Sequence, residues 1–389
     1  MQNVELLETK LQNSDDTGNL KRIYDPDGKS CLLIAEDEHI VINTVSGVIK
    51  ALFHIVHKTG RKITRIVIVF KGRNFDDKLT YVLLEWYLEH VITVHKLTIK
   101  IFWNNNTSIF THGMVNSPLQ KLCTVNDSDQ NDYSTSLNKS IGKTHYRRVF
   151  HPKEVVDDTL SALFTDLSSI FKQLNIQTEQ ADSIAEVAVE LVGNALEHTH
   201  SDCFLDVDIA DEYFRRDNPK GKKYYGANIC VVNFSHTLLS SQIEEKITQD
   251  KSIQYEGASH RYWRLKKIYD YHSRFFDSSY GKEEFFTLSA FQNKISGRPN
   301  EYVMGGTGLP MLIKSLELQA EVHKCYVISG NCKMQFIKGL LEYDENHWIG
   351  MNQECDFYRF RPDPEVFSHS PLFFPGTAYN LNFVIPKES

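Results

Sequence analysis

The sequence predicts an α/β protein built from a smaller N-terminal α/β domain and a larger C-terminal α/β sandwich, with helices on one face of a mixed sheet. Three observations carry this. Residues 63–103 run strand, helix, strand; residues 153–233 run two helices and then two strands; and residues 185–198 form a strongly amphipathic helix. At 389 residues with 41% hydrophobic and 24% charged, the chain has enough apolar material for two cores, so extended disorder is excluded.

The first 20 residues read as a polar lead-in. Residues 30–35 and 39–43 read as two short strands or a hairpin. Residues 45–57 have helical spacing in Val48, Ile49, Leu52, Phe53 and Val56, and they close at Gly60. A strand over 63–70, a helix over 77–94 and a strand over 97–103 imply a parallel crossover. Residues 21–110 are thus expected to form a small α/β domain, whose order and size resemble a STAS-type regulatory module. Asn and Ser clusters make residues 111–145 the expected linker, and 146–389 the second domain. In that domain an edge strand is expected at 147–150, helices at 153–174 and 185–198, and strands at 204–209 and 227–233. Further strands are expected near 324–329, 334–339 and 374–386. Residues 235–303 form a long insertion that includes a basic, aromatic stretch from Arg261 to Arg274. Such a stretch can stack on bases, and more commonly it is a helix with cations lying along its sides.

Composition narrows the function classes. The net charge of −7 provides no global positive field, so nucleic acid is not favoured as a partner. Seven scattered cysteines, with no CxxC, fit free thiols in a reducing cytoplasm. No run of about 18 apolar residues is present, so no membrane partner is expected, and a cytoplasmic location is.

On the 185–198 helix, Glu190, Asn194 and His198 stand four residues apart, and Glu197 lies within about 20° of Glu190 around the axis. A carboxylate, an amide and an imidazole without an accompanying cation suit a metal ion and a water molecule. Further along, Gly305-Gly306-Thr307-Gly308-Leu309 opens a helix and offers backbone amides to phosphate oxygens. Near the end of the chain, Gly376-Thr377 leads into an apolar strand ending at Pro386.

In this order the three motifs resemble those of the GHKL, or Bergerat-fold, histidine kinase-like ATPases, over roughly residues 147–386. The resemblance implies ATP and Mg2+ as cofactors. It makes Asn194 the magnesium ligand, Glu190 the carboxylate that polarises the attacking water, and His198 a residue near the phosphates. Gly305, Gly306, Thr307, Gly308 and Leu309 would then flank an ATP lid, placed at 235–303, and Thr377 would contact adenine. One position departs from the family: where an aspartate accepts from the adenine amine, this chain has Asn233, followed by Phe-Ser-His-Thr in place of the family's glycines. An amide oxygen still accepts such a bond, without charge assistance.

Three functional readings follow. The leading one is an intracellular Mg-dependent ATPase whose lid signals to a protein partner or to a second copy. The others are a protein kinase of the anti-sigma or histidine-kinase type, and a low-turnover nucleotide-binding adaptor in a bacterial defence or stress system. Glu190 favours water as nucleophile over a protein acceptor, and Asn233 favours the adaptor.

Overall fold

The computed structural model describes residues 4–12, 20–72, 74–103, 114–123, 129–153, 156–213, 223–249, 260–295, 308–320 and 324–387. It is mixed α/β with two sheets, and it divides into two compact units. The first comprises Met1–Val149, Phe204–Ala210 and Asn228–Cys230, and the second comprises the rest. The boundary in the linear sequence thus falls at Val149, while short pieces of two later strands group with the first unit.

The first unit opens with α1 (Glu5–Leu11), β1 (Leu20–Tyr24) and β2 (Ser30–Ala35). The expected polar lead-in therefore contains a helix that buries Leu7 and Leu11. The hairpin partner of β2 is β1, with Tyr24 opposite Cys31. Residues 39–43 form no strand; Ile40 makes an isolated bridge to Phe75, and α2 (Ile42–His57) starts earlier than expected. Next come β3 (Arg65–Phe70), α3 (Lys78–Thr93) and β4 (Thr98–Trp103). The sheet order is β1-β2-β3-β4, with β2/β3 and β3/β4 parallel. Alternation sets the inner face, since Cys31, Leu33, Ile66, Ile68, Ile99 and Ile101 are all buried. Helix α3 starts where Asp77 accepts from the Thr80 amide, and it is buried on nearly every side.

The segment expected to be a linker is structured where it is described. Short 3-10 turns at Met114–Asn116 and Pro118–Cys123, with α4 (Asp129–Asn138), bury Met114, Leu119, Leu122, Tyr133 and Leu137. These sparse apolar residues lie within a polar background, which hides them from a reading of average composition.

The first unit also encloses a network of charges. The Lys78 ammonium lies 3.0 Å from Asp206 and contacts Asp208, while Arg147 pairs with Asp206 and lies 3.1 Å from Glu85. His145 Nδ1 is 2.9 Å from Asp208. His145, Asp206 and Asp208 converge as metal ligands do, but Lys78 already supplies a cation among them. Burial opposes the Lys78 charge, yet Asp206 and Asp208 outweigh it and raise its pKa well above the usual lysine range; burial pushes the Glu85 carboxyl up.

The second sheet has the order β5-β6-β7-β8-β10-β9. Its strands are β5 (Lys139–Ile141), β6 (His145–Phe150), β7 (Cys203–Tyr213), β8 (Tyr224–Phe234), β9 (Tyr326–Gln335) and β10 (Phe367–Pro386). The strand expected at an edge, β6, lies between β5 and β7. The two short strands expected after residue 323 are one strand, β9, antiparallel to β10. The second unit's helices are α5 (Val156–Gln173), α6 (Thr178–Thr199), α7 (Ser241–Gln249), α8 (His260–His272), α9 (Lys282–Ser289) and α10 (Gly308–Gln319). No disulfide joins any of the seven cysteines. No helix among the described residues is long and apolar enough to cross a membrane.

The basic, aromatic stretch is α8, and it is held by the protein itself. Tyr262, Leu265, Ile268 and His272 are buried at helical spacing. Arg261 donates to the carbonyls of Asn346 and His347 at 2.9 Å and lies over the Trp348 ring, and Lys267 lies over Trp263. His272 Nε2 donates to the Phe357 carbonyl at 2.9 Å, so its Nδ1 accepts from the Tyr280 hydroxyl at 2.8 Å. Burial lowers its pKa from 6.5 to about 4 despite the Phe357 carbonyl.

This histidine gives the second unit an acid limb. With the folded pKa below the unfolded one, the neutral form's contribution is complete above pH 6.5 and is lost as pH falls towards about 4. The loss should reach about 3 kcal/mol. Urea unfolding of the second unit across that range should show it in wild type and not in His272→Gln; identical acid limbs would contradict the assignment.

Candidate functional site

Helix α6 positions the first part of the site. Its apolar side, including Ala181, Ile184, Ala188, Leu191, Val192 and Leu196, is buried, and Gly193 meets Leu160 of α5 where an added Cβ would come within 3.1 Å. That packing leaves Glu190, Asn194, Glu197 and His198 on the wall of a cavity of about 310 Å3. Glu190, Asn194 and His198 are half-buried, and Glu197 is exposed. The helix ends because His200 takes a left-handed conformation, and the chain turns into β7.

The second part comes from β8 and β10. Asn233 lines the cavity, and its side-chain amide donates to the carbonyl of Asp202 at 2.9 Å and, more weakly, to that of Ser201 at 3.4 Å. Only the nitrogen of the amide can donate, so these bonds fix which way the group is turned. Its Oδ1 is then left buried without a hydrogen-bond partner. Across from it, Gly376 has φ +108°, and a Cβ there would lie 2.0 Å from the Asn233 carbonyl oxygen. The backbones approach this closely because residue 376 has no side chain. The Gly376 carbonyl also accepts from Ser329 Oγ at 2.7 Å, and the Ser235 amide donates to the Pro375 carbonyl at 3.1 Å. The next residue, Thr377, is thereby set on the same cavity as Asn233.

The remaining walls are residues 237–243, Ala290, Ile295, Leu309 and Tyr379. Gln242 donates to the His198 carbonyl at 3.1 Å, and Ser329 Oγ accepts from the Leu239 amide at 2.9 Å, so the turn into α7 is tied to both α6 and β9. Helix α10 begins at Gly308 and meets α6 through Ser315 and Ser183, whose hydroxyl oxygens are 3.0 Å apart.

Of the residues singled out in the sequence, Glu190, Asn194, His198, Asn233, Leu309 and Thr377 therefore line one cavity. Gly305, Gly306 and Thr307 lie outside the described residues, and Gly308 is the first residue of α10. The wall formed by Thr237, Leu238, Leu239, Gln242 and Ile243 was not legible, because it lies in the insertion read as a lid and carries no motif. Two carboxylates, Glu190 and Glu197, face the cavity, and none of its described lining residues is a lysine or arginine. An orphan acceptor at Asn233 suits a ligand that donates, such as an exocyclic amine. An anionic ligand would need to bring a cation with it to such a wall.

No family model, no curated protein and no solved structure matches the chain, so the family resemblance rests on the motif residues alone.

Gly376→Ala tests the geometry of the site independently of any ligand. A Cβ would meet the Asn233 backbone at a backbone angle that side chains rarely adopt. Urea unfolding should show the second unit destabilised by more than about 2 kcal/mol. A neutral substitution would mean that β10 does not approach β8 so closely.

Proposed function

We propose that the second unit binds ATP with magnesium and hydrolyses it, in the manner of a GHKL ATPase. The observation that carries this reading is the convergence of four separated segments, at residues 190–198, 233, 309 and 377, on one cavity. Its volume of about 310 Å3 lies at the lower end of the range for small-molecule pockets. The residues present fit the cofactors. Asn194 offers an amide oxygen, the kind of hard oxygen ligand magnesium takes. A bound magnesium ion would supply the positive charge that the described lining lacks and that a triphosphate requires. Glu190 would be the base: its carboxylate orients a water molecule and takes its proton as that water attacks the terminal phosphorus, the bond from that phosphorus to the bridging oxygen breaks, and ADP leaves with inorganic phosphate released. Asn233 Oδ1 accepts from the amine of the base, and Thr377 lies on the same wall. By the motif resemblance, Gly308 at the start of α10 would offer its backbone amide to phosphate, and Gly305, Gly306 and Thr307, outside the described residues, match the rest of the glycine box.

In this scheme the bound state is read by the turn at residues 237–243 and by α7, which line the cavity, rather than by α8, whose Arg261 and Lys267 rest on the protein's own carbonyls and rings. A protein partner or a second copy would take the signal from there, and the compartment would be cytoplasmic. A low-turnover adaptor is the second reading. It is favoured by Asn233, whose uncharged amide already serves the turn at Ser201 and Asp202.

Thermal unfolding with ATP and magnesium separates these readings. At a ligand concentration of 100 Kd, wild type should gain about 2.7 kcal/mol, and Asn194→Ala should gain none. Glu190→Gln should keep the gain while phosphate release falls by roughly 10²-fold or more. No gain in wild type would refute nucleotide binding; a gain without phosphate release in wild type would select the adaptor.

A further inference from the structure

A second constellation lies in the first unit, far from the cavity in sequence and independent of the nucleotide reading. Glu8 projects from α1, His57 is the last residue of α2, His90 is in the last turn of α3, and His95 lies just past the Val94 cap of that helix, before Lys96 takes a left-handed conformation and turns the chain towards β4. Four side chains from three helices and their ends gather here. His57 Nε2 lies 3.2 Å and His90 Nε2 3.3 Å from Glu8 Oε2, and His95 Nε2 lies 3.5 Å from Glu8 Oε1. The ligand atoms of Glu8, His57 and His95 are all within 4.8 Å of one another. The rings of His57 and His95, and of His90 and His95, meet edge-on at 5.1 and 5.3 Å between centroids.

Of the three histidines, only His57 makes a hydrogen bond to Glu8, from Nε2 to Oε2 at 3.2 Å. The Nε2 atoms of both His90 and His95 are buried and make no hydrogen bond, although a carboxylate oxygen is within 3.5 Å of each. A tetrahedral zinc ion with bonds of 2.0–2.1 Å holds its ligand atoms about 3.3–3.4 Å apart. The 3.2 and 3.5 Å separations of His57 and His95 from the two oxygens of the Glu8 carboxylate are close to that edge. The carboxylate is also oriented from behind, because the Tyr87 hydroxyl donates to Glu8 Oε1 at 3.1 Å, as partners of metal ligands do. His90 is 7% exposed and Glu8 12%, whereas His57 is 37% exposed and opens on a shallow cavity with Phe53 and Lys58, which provides an entry path.

We propose that Glu8, His57 and His95 bind a divalent ion of the zinc class, with His90 beside Glu8 at the edge of the site, and so fasten α1 to the ends of α2 and α3. Two imidazoles and one carboxylate are a three-ligand donor set that zinc accepts, with the fourth position left for water. The consequence is specific to α1. A helix of seven residues is unstable alone, and apart from the burial of Val4, Leu7 and Leu11 the ion would be its main anchor. Ion binding to the folded state alone then becomes docking free energy for this helix.

The test is a zinc titration of the full chain, stripped with a chelator and followed by competition with a chromophoric chelator at neutral pH. One equivalent should bind to wild type, and His57→Ala and Glu8→Gln should each weaken binding by about 10²-fold or more. The exposed His57 makes a folded variant expected, and coincident unfolding curves of stripped wild type and His57→Ala check it; Glu8→Gln serves should His57→Ala unfold. Zinc should also slow amide exchange across Glu5–Leu11 in wild type and not in His57→Ala. The absence of saturable binding by wild type, or unchanged affinity in both variants, overturns the proposal.

Discussion

The candidate site depends on one steric fact: there is no room for a side chain at Gly376. An added Cβ would stand 2.0 Å from the Asn233 carbonyl oxygen, so β10 can reach β8 here only through glycine at φ +108°. That approach sets Thr377 and Asn233 on one cavity, and it places the Gly376 carbonyl where Ser329 can donate to it. Asn233 is held in turn by the carbonyls that follow α6. The end of α6, the C-terminal end of β8 and the start of the last apolar run are therefore fixed relative to one another. Glu190 and Asn194 inherit their placement from that frame, since the opposite face of α6 is buried and Gly193 packs against Leu160.

Much of this was legible in the sequence, for identifiable reasons. The α6 stripe is a matter of helical period, and period survives in sequence whatever the tertiary context. The Gly376-Thr377 pair stood out as a glycine opening an apolar strand, although its steric cause lies across the sheet. In contrast, residues 237–243 line the cavity through ordinary side chains and a backbone turn, with no periodicity to show it. The basic run from Arg261 to Arg274 illustrates an ambiguity of composition: interleaved cations and aromatics suit bases, and equally suit a helix whose cations rest on the protein's own rings and carbonyls. Tyr262, Leu265, Ile268 and His272 at helical spacing decide for the second.

The first unit was legible as alternation of strand and helix, less so in what it buries. Charged residues such as Lys78, Glu85 and Arg147 read as surface in a sequence, yet all three are buried and compensate one another with Asp206 and Asp208. The polar background over 111–145 concealed Met114, Leu119, Leu122, Tyr133 and Leu137 in the same way. His90 and His95 stand at the His-x4-His spacing of half a zinc motif, but Glu8 and His57 join them only through the fold, so the cluster was not legible.

The central claim is that the convergence of residues 190–198, 233, 309 and 377 is a nucleotide site. Hydrogen–deuterium exchange with and without ATP and magnesium tests it most directly, because it locates binding without a substitution. The account predicts slower exchange in the last two turns of α6, in residues 233–243 and in residues 376–379, with β1 to β4 unchanged. Exchange that is unaltered at saturating nucleotide, or slowed only in the first unit, would contradict it.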